Sequence, residues 1–343
     1  MKTKQILFTE INTAKLVDKE LPPLSAHDVM IKTAVSTISS GTERANITGA
    51  PAINVAGEAV VSFPRALGYN SAGVVVAVGS EVESVKVGQR VVVYWGLHQG
   101  INVVNENNVV VIEDDNISFE SAAVSFISTF PMAAIRKTRL EIGESAMVMG
   151  LGILGIIAVK LLRAAGAAPI IAVDPNPARR EIAIKEGADY ALDPFDKDFA
   201  KQVKAVSHGG VNVAIEVTGV GAGFNETLDC MAKFGRIALL GCTRSSDFTV
   251  DYYNKIHVPG ITVIGAHTLA RPEVESYPGY FTHRDDILAV LRLCSLGRLD
   301  LDRIIEETHS PADCESVFNR LVFDKDFPIV VQFDWREIDN TSK

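Results

Sequence analysis

The stretch from Ser145 to Asp174 constrains the fold more than any other part of the sequence. An apolar run, Ala146 to Met149, ends in the loop Gly150-Leu151-Gly152-Ile153-Leu154-Gly155. A segment rich in Ala, Leu and Ile follows, and a second apolar run closes on Asp174. Because a short apolar run predicts a buried strand and the longer segment predicts a helix, this stretch is interpreted as a βαβ unit with parallel strands.

The loop has the spacing Gly-x-Gly-x-x-Gly, which is typical of dinucleotide-binding proteins. The first glycine makes a tight turn, the second lets the backbone approach a pyrophosphate, and the third lets helix and strand pack closely. Asp174 follows Gly155 by nineteen residues, where a carboxylate can accept hydrogen bonds from a ribose diol. The alternative is a tight turn in a doubly wound protein that binds no dinucleotide. The predicted contacts are Gly150, Gly152, Ile153, Leu154, Gly155 and Asp174.

The predicted cofactor is NAD(H) rather than NADP(H). A carboxylate at position 174 accepts a hydrogen bond from a free 2′-hydroxyl and repels a 2′-phosphate. Arg179 and Arg180 complicate this preference, because a nearby arginine can accommodate a phosphate. Solvation on a helix surface is the alternative for these two side chains.

Composition excludes several classes of protein. A length of 343 residues predicts about two domains. The net charge of −9 argues against a nucleic-acid or anionic-membrane surface, since both require a basic face. The four cysteines, Cys230, Cys242, Cys294 and Cys314, show no spacing typical of a disulfide framework or a zinc ribbon. The N-terminal residues lack the apolar core of a signal peptide, so a cytoplasmic location is expected.

The chain changes character twice. The first 120 or so residues predict short, largely antiparallel strands, such as Val29–Ile38, Gly73–Gly79 and Gln89–Gly96. Residues 121–140 predict a helix that Pro131 should break or kink. Six strands then alternate with helices, which indicates a parallel sheet covered on both faces. These strands are Ala146–Met149, Pro169–Val173, Tyr190–Leu192, Val211–Val217, Arg236–Leu240 and Ile261–Ile264, and the helices between them include Asn176–Glu186, Phe199–Ser207 and Phe224–Phe234.

The last part of the chain is expected to return to the first domain. It contains two predicted helices, Arg284–Leu296 and Asp313–Val322, and a final strand, Ile329–Phe333. The predicted fold is therefore α/β, with a six-stranded doubly wound Rossmann domain inserted into a discontinuous β-rich partner. The predicted boundaries are 1–122, 123–266 and 267–343.

Over nearly its whole length the chain resembles the medium-chain dehydrogenase/reductase superfamily, which includes alcohol, sorbitol and threonine dehydrogenases. The segments that carry the resemblance are ALGYNSAGVVVAVGSEVESVKVGQRVVV, VMGLGILGIIAVKLLRAAGA, GGVNVAIEVTG, GRIALLG and ITVIGAHT. The resemblance implies a GroES-like catalytic domain beside the Rossmann domain, with an active site in the cleft between them. It also implies that Thr218, Gly219 and Gly241 line the nicotinamide side of the groove and that Arg179 contacts the adenosine ribose.

The chain departs from the zinc-dependent members at each ligand position. Ser40 stands where a cysteine begins the corresponding segment, Tyr69-Asn70 replace a His-Glu pair, and the third ligand position falls near Phe126. Serine, tyrosine and phenylalanine do not provide the ligands of a catalytic zinc ion. No metal site is predicted. The segment SGTER (residues 40–44) and the missing zinc ligands together make the chain look most like the subgroup of bacteriochlorophyllide dehydrogenase-like and alcohol dehydrogenase-like proteins.

Catalysis without zinc requires other groups to stabilise charge on the substrate oxygen and to exchange a proton. In the relatives a hydroxyl at the position of Thr42 begins a proton relay. Tyr69 places a phenol where a zinc ligand stood, and Glu43 and His98 are further candidates for proton handling. The alternatives are that Thr42 only bonds the backbone of its turn, that Tyr69 only fills the space left by zinc, and that His98 is structural or solvated.

The predicted function is an NAD(H)-dependent oxidoreductase that interconverts an alcohol and a carbonyl without zinc. One alternative is a quinone or enoyl reductase, since relatives without zinc often reduce activated double bonds. Another is a non-catalytic NAD-binding sensor or partner protein. The expected partners are a small-molecule substrate and a second copy of the chain, paired through the sixth Rossmann strand, ITVIGAH, as in relatives. Neither nucleic acid nor a membrane is expected to bind.

Overall fold

The computed structural model describes residues 1–50, 62–243 and 246–338. The chain divides into two compact units. The first comprises 1–127 and 287–343, and the second comprises 128–286. The insertion of one unit into the other agrees with the discontinuous organisation predicted above.

The first unit is rich in short strands. Its strands are β1 (Lys2–Glu10), β2 (Thr13–Glu20), β3 (Asp28–Thr37), β4 (Arg65–Ala66), β5 (Asn70–Val78), β6 (Arg90–Tyr94), β7 (Ile101–Asn105) and β8 (Val109–Val111), followed late in the chain by β15 (Ile305–His309) and β16 (Val330–Asp334). Its helices are α1 (Ser40–Ile47), α2 (Phe119–Ala122) and α9 (Cys314–Phe323). Helices α3 (Ser125–Thr138) and α8 (His283–Ser295) carry the chain into and out of the second unit, and 3₁₀ turns occupy Glu106–Asn108, Asp302–Ile304 and Pro311–Asp313.

Two sheets build the first unit. The smaller has the order β2-β1-β4, and the larger has the order β15-β16-β3-β5-β6-β8, with β7 also paired to β3. Among the residues that the structure describes, the strand pairs of this unit are antiparallel except for β15 and β16, which run parallel. One side of the larger sheet is buried by branched side chains of β3, β5 and β6, namely Val29, Ile31, Val75, Val91 and Val93. The aromatic rings of Phe8, Phe318, Phe333 and Trp335 fill a second core. The β-rich character predicted for this part is confirmed.

The second unit is a doubly wound parallel sheet. Its strands are β9 (Ala146–Met149), β10 (Ile170–Val173), β11 (Tyr190–Leu192), β12 (Val211–Glu216), β13 (Met231–Leu239) and β14 (Thr262–Gly265). Its helices are α4 (Ile153–Ala165), α5 (Pro177–Lys185), α6 (Phe199–Val206) and α7 (Gly221–Asp229), with a π-helical turn at Tyr253–His257. The strand order β11-β10-β9-β12-β13-β14 is that of a Rossmann fold, as predicted.

Two predicted helices need correction. The predicted helix Phe224–Phe234 ends as α7 at Asp229, and β13 begins at Met231. The apolar run around Met231 pairs with β12 instead of continuing the helix. The helix predicted over residues 121–140 is divided at residues 123–124, whereas Pro131 lies inside α3 without ending it. A proline in a helix interior removes one backbone hydrogen bond, and buried packing along α3 compensates for that loss.

Residues 267–286 belong to the second compact unit, whereas the predicted boundaries assign them to the segment that returns to the first domain. The Arg271 guanidinium donates to the carbonyl of Thr129 on α3, and Lys137 donates to the carbonyl of Ala270. Both Arg136 and Arg271 also donate to the fully buried carboxylate of Asp286. These contacts attach the segment to the second unit. The predicted domain boundaries, 1–122, 123–266 and 267–343, stay a prediction.

Within residues 1–50, 62–243 and 246–338, no helix is long and apolar enough to cross a lipid bilayer.

Candidate active site

Tyr69 lies just before β5 at the centre of a small group of hydroxyls in the first unit. Its phenol donates a hydrogen bond of 2.5 Å to Oγ of Ser39. The Oγ1 of Thr42 lies 3.4 Å from the same phenolic oxygen. We call Ser39, Thr42 and Tyr69 the hydroxyl cluster. The structure thus brings together Thr42 and Tyr69, two of the predicted catalytic residues.

The first turn of helix α1 places Ser39 and Thr42. Ser39 is the N-cap residue, yet its side chain makes no capping hydrogen bond to the helix. Its backbone N–H instead donates 2.9 Å to Oε1 of Glu43, and the N–H of Glu43 donates 2.8 Å to the carbonyl of Ser39. An N-cap serine normally uses its hydroxyl to accept an N–H of the first turn. Here that hydroxyl accepts from Tyr69.

Glu43 and His98 form a buried pair beside the hydroxyl cluster. Glu43 is 0% exposed and His98 is 1% exposed. Nε2 of His98 lies 3.1 and 3.2 Å from the two carboxylate oxygens of Glu43, and Nδ1 lies 2.7 Å from Oγ of Ser36. The indole Nε1–H of Trp335 donates 2.8 Å to that same Oγ. A buried carboxylate requires such partners, because desolvation without them is costly.

Aromatic rings surround the phenol of Tyr69. The ring of Phe126, at the start of α3, lies 5.8 Å from the Tyr69 ring, 5.2 Å from Tyr94 and 4.9 Å from Trp95, measured between centroids. Trp95 is 41% exposed, and its φ of 60° lies in the left-handed region that a bulky residue rarely adopts. The hydroxyl cluster therefore lies beside a largely apolar wall.

The residues at the family's metal-ligand positions do not fit a zinc ion. Tyr69 and Phe126 lie side by side, and Ser40 begins the helix that carries Thr42. This set offers hydroxyls and a hydrocarbon ring instead of thiolate, imidazole or carboxylate ligands. Among the described residues, no group of three or more His, Cys, Asp or Glu side chains could hold a metal ion.

Asn70 follows Tyr69 and stands where the resemblance implies the glutamate of a His-Glu pair in the zinc-dependent members. It is fully buried at the start of β5, opposite Thr37 on one side and Tyr94 on the other. Neither its amide nitrogen nor its amide oxygen has a hydrogen-bond partner in the described part of the structure. A buried amide without partners is costly and normally has a bound water or another polar partner.

The glycine loop of the second unit has the shape that a dinucleotide requires. A Cβ atom at position 155 would lie 1.9 Å from the carbonyl oxygen of Gly150, so only glycine lets α4 pack this closely on the loop. A Cβ at Gly152 would meet no described atom within 4 Å. Gly152 is the N-cap residue of α4, and Ile153 and Leu154 form its first turn. The loop therefore leaves open space before a helix N-terminus, where a pyrophosphate is stabilised.

The ends of three neighbouring strands meet beside this loop. A Cβ at Gly150 would lie 3.1 Å from Cγ2 of Thr218, which follows β12. A Cβ at Gly241, which follows β13, would lie 2.3 Å from the backbone nitrogen of Gly219. The structure thus brings Gly150, Thr218, Gly219 and Gly241 together at the carboxyl end of the sheet, where doubly wound proteins bind their ligands.

Glu216 holds the turn after β12. Its carboxylate accepts the backbone N–H of Thr218 at 2.8 Å, the N–H of Gly219 at 3.2 Å, and the Thr218 hydroxyl. Burial raises the pKa of this carboxyl group, and the three hydrogen bonds oppose the rise. Glu216 was not among the predicted site residues, although an acid two positions before Thr218 is a signal for this kind of turn.

Asp174 directly follows β10 and is 6% exposed. Its Oδ2 accepts the N–H of Leu151 at 2.8 Å and its Oδ1 accepts the N–H of Asn176 at 2.9 Å. An ionised carboxylate has about four acceptor positions, so two N–H bonds leave capacity for a ribose diol. Arg179 lies 3.9 Å from the same carboxylate. Arg180 donates to Asp174, Pro175 and Asp193 within the unit.

The comparisons with known proteins follow the division into two units. Residues 25–124 match the alcohol dehydrogenase GroES-like domain family, and residues 154–280 match the zinc-binding dehydrogenase family. The chain is 27% identical to the L-threonine 3-dehydrogenase of Pyrococcus horikoshii over 328 residues, which cover 88% of this chain and 89% of that protein.

Solved structures share the fold. The (2R,3R)-butanediol dehydrogenase of Bacillus subtilis superposes with a TM-score of 0.81 at 24% identity, over 97% of this chain and 99% of the other. A short chain alcohol dehydrogenase from Escherichia coli CFT073, complexed with NADH, superposes with a TM-score of 0.81 at 18% identity and the same coverage. At these identities the superpositions establish the fold alone.

The packing of Gly68 against His98 gives a stability prediction. A Cβ at position 68 would lie 2.3 Å from Cγ of His98, and the φ of Gly68 is +109°. We expect Gly68→Ala to lower the free energy of unfolding of the first unit by about 2–5 kcal/mol, since backbone strain and overpacking add. Both tryptophans, Trp95 and Trp335, lie in this unit, so denaturant unfolding followed by tryptophan fluorescence measures the change.

The matched control is Gly88→Ala. Its φ is +89°, but a Cβ there would meet no described atom within 4 Å. Only the backbone strain remains, and we expect a loss of about 1–2 kcal/mol. Equal losses for the two variants would contradict the close contact between Gly68 and His98.

Proposed function

Because this chain belongs to the zinc-type medium-chain alcohol dehydrogenase-like superfamily, we propose that it interconverts an alcohol and a carbonyl compound by NAD(H)-linked hydride transfer without catalytic zinc. The observation that carries the proposal is the hydroxyl cluster. One of its members, Tyr69, stands at a position where the resemblance implies a zinc ligand in the zinc-dependent members. Its phenol is hydrogen-bonded to one hydroxyl and lies within 3.4 Å of a second.

Bound NAD supplies the hydride acceptor or donor. The residues that would hold it belong to the second unit and are Gly150, Gly152, Ile153, Leu154, Gly155, Asp174, Arg179, Thr218, Gly219 and Gly241. Asp174 would accept the ribose hydroxyls, and the N-terminus of α4 would stabilise the pyrophosphate. The small-molecule alcohol or carbonyl would meet the hydroxyl cluster of the first unit.

The phenol of Tyr69 would stabilise the substrate oxygen. In carbonyl reduction, negative charge develops on that oxygen as the hydride reaches the carbon, and a phenolic O–H donates to it and then transfers its proton. In the structure the Ser39 hydroxyl accepts a hydrogen bond from the phenol. When the phenolic O–H turns to the substrate, the direction of this hydrogen bond can reverse, so that the Ser39 O–H donates to the phenolic oxygen. Thr42 would relay a proton to the phenolate of Tyr69, giving up its own hydroxyl proton while its oxygen takes one from solvent water. Oxidation of an alcohol follows the same steps in reverse.

The direct test is a panel of alcohols, aldehydes, ketones and enones, followed by the absorbance of NADH with and without a chelator. We expect turnover on alcohol/carbonyl pairs that the chelator leaves unchanged. Tyr69→Phe should lower kcat by about 10²- to 10⁴-fold, the usual contribution of a general acid. Tyr94→Phe is the matched control, because its hydroxyl bonds the carbonyl of Asn107 outside the cluster.

Three results would count against this proposal. Activity that requires added zinc would restore the metal mechanism. Turnover restricted to the enones of the panel would support the reductase alternative. Binding of NADH without turnover on any compound of the panel would support a non-catalytic NAD-binding protein.

The cofactor preference is tested by titration. We expect the protein to bind NADH more tightly than NADPH, because the Asp174 carboxylate repels a 2′-phosphate. Asp174→Asn keeps an acceptor for one N–H and removes the charge, so it should weaken the preference by roughly tenfold, equivalent to about 1.4 kcal/mol. Tighter binding of NADPH by the unchanged protein would overturn the assignment.

A homodimer through β14 is also proposed. This strand is the edge of the six-stranded sheet and pairs only with β13 in the described structure, while Thr262 and Val263 are exposed. An exposed edge strand is stabilised by pairing with its copy across a two-fold axis. We expect light scattering to give the mass of a dimer and Val263→Arg to lower it to that of a monomer. A monomer before the substitution would refute the dimer.

A further inference from the structure

The buried pair Glu43–His98 is connected to Tyr69 by two separate routes. The first runs through hydrogen bonds to the phenolic oxygen, and the second runs through the backbone before Tyr69. Both routes lie within the first unit and consist of residues that the structure describes.

The first route begins at the Glu43 carboxylate. Oε1 accepts the backbone N–H of Ser39 at 2.9 Å, and the Ser39 carbonyl accepts the N–H of Glu43 at 2.8 Å. Glu43 therefore fixes both backbone groups of Ser39. The carboxylate thus accepts the N–H of the N-cap residue, as the acidic partner of a capping box does. The Ser39 hydroxyl caps no N–H of the helix and accepts the phenolic O–H of Tyr69.

The second route begins at the imidazole of His98. Gly68 packs directly on this ring, since a Cβ at position 68 would lie 2.3–2.4 Å from two ring carbons. The backbone N–H of His98 donates 2.8 Å to the carbonyl of Leu67. Leu67 and Gly68 immediately precede Tyr69, so His98 fixes the backbone from which the phenol projects.

The hydrogen bonds of His98 have one consistent direction. An ionised carboxylate only accepts, so Nε2 of His98 donates to Glu43. Trp335 Nε1 only donates, so Oγ of Ser36 accepts from it, and in the neutral imidazole the Ser36 O–H donates to Nδ1. The imidazole is thus held at both nitrogens and cannot rotate without breaking a buried hydrogen bond.

From these contacts we infer that Glu43 and His98 are positioning residues for Tyr69, which hold its phenol at one orientation and exchange no proton with substrate. Burial of both side chains keeps them from contact with a substrate. The inference rests on the proposed role of Tyr69, and it replaces proton handling as the expected role of Glu43 and His98. The chemistry stays on the phenol, and the buried pair determines where the phenol points.

The test uses the full chain with three substitutions. His98→Leu removes the donor to Glu43. His98→Gln restores an N–H near the position of Nε2. Glu43→Gln removes the charge, leaves one acceptor oxygen for the Ser39 N–H, and places an amide NH₂ at the position of Oε2, against Nε2 of His98. The control is Gln5→Leu, since Gln5 donates to Gln99 in another buried polar pair of this unit that does not touch the hydroxyl cluster.

The first measurement does not depend on turnover. Tyrosines labelled with ¹³C at Cζ give one signal for each of the seven tyrosines, and the signal missing in Tyr69→Phe identifies Tyr69. We expect His98→Leu and Glu43→Gln to shift this signal toward that of an exposed tyrosine. His98→Gln should shift it less, and Gln5→Leu should leave it in place. An unshifted Tyr69 signal in folded His98→Leu and Glu43→Gln would overturn the inference.

The second measurement is kinetic. We expect His98→Leu and Glu43→Gln to lower kcat about 10- to 100-fold, the effect of a misplaced catalytic group, while the KM for NAD stays within about twofold. In the Tyr69→Phe background the same substitutions should add almost nothing. If Tyr69→Phe leaves turnover intact, the proposed function fails, and the tyrosine signal still decides whether the pair positions the phenol.

Discussion

Burial of the Glu43 carboxylate is the constraint on which the first unit's candidate site depends. A fully buried carboxylate is destabilising unless donors compensate for the lost water. The donors here are the backbone N–H of Ser39 and the Nε2–H of His98. Each donor is in turn part of another contact, because Ser39 accepts from Tyr69 and His98 packs against Gly68. The requirement to satisfy the buried carboxylate thus fixes three residues around the phenol, namely Ser39, His98 and Gly68.

The second unit depends on a different constraint, the close approach of backbone segments at the ends of the strands. The carbonyl of Gly150 contacts Gly155 so closely that any Cβ would collide with it, and Gly241 approaches the nitrogen of Gly219 in the same way. Because no side chain fits at Gly155 or Gly241, the loop and the strand ends leave room for the phosphates of a dinucleotide. The carboxylates of Asp174 and Glu216 then satisfy N–H groups that the turns leave unpaired.

The sequence predicted the second unit more completely than the first. A parallel sheet buries whole strands, so each appears as a continuous apolar run, and all six predicted strands are present. The error at Phe224–Phe234 arose because an apolar segment can continue a helix or begin a strand, and the pairing of Met231 with β12 decides between them. The candidate site of the first unit was harder to predict. Tyr69 and Thr42 were identified, but their contact joins residues 27 positions apart.

The contact between Glu43 and His98 joins residues 55 positions apart, and no local pattern connects them. His98 follows β6 in a loop whose position is set by the pairing of β5 with β6 and by Trp335 near the end of the chain. Ser36 links His98 to Trp335, but nothing in the sequence distinguishes it from other polar residues of a strand.

A site that uses a phenol in place of a metal ion, as proposed above, is held rigid by different groups. A metal ion fixes its ligands by direct bonds, and hydrogen bonds from the surrounding protein orient those ligands. A phenol has a single rotatable O–H and gains its orientation only from the groups that accept and donate around it. The buried charge, the imidazole held at both nitrogens and the glycine packed on that imidazole together supply this orientation. This polar network lies in the same unit as Ser40, Tyr69 and Phe126, and we expect the rigidity of the phenol to depend on it.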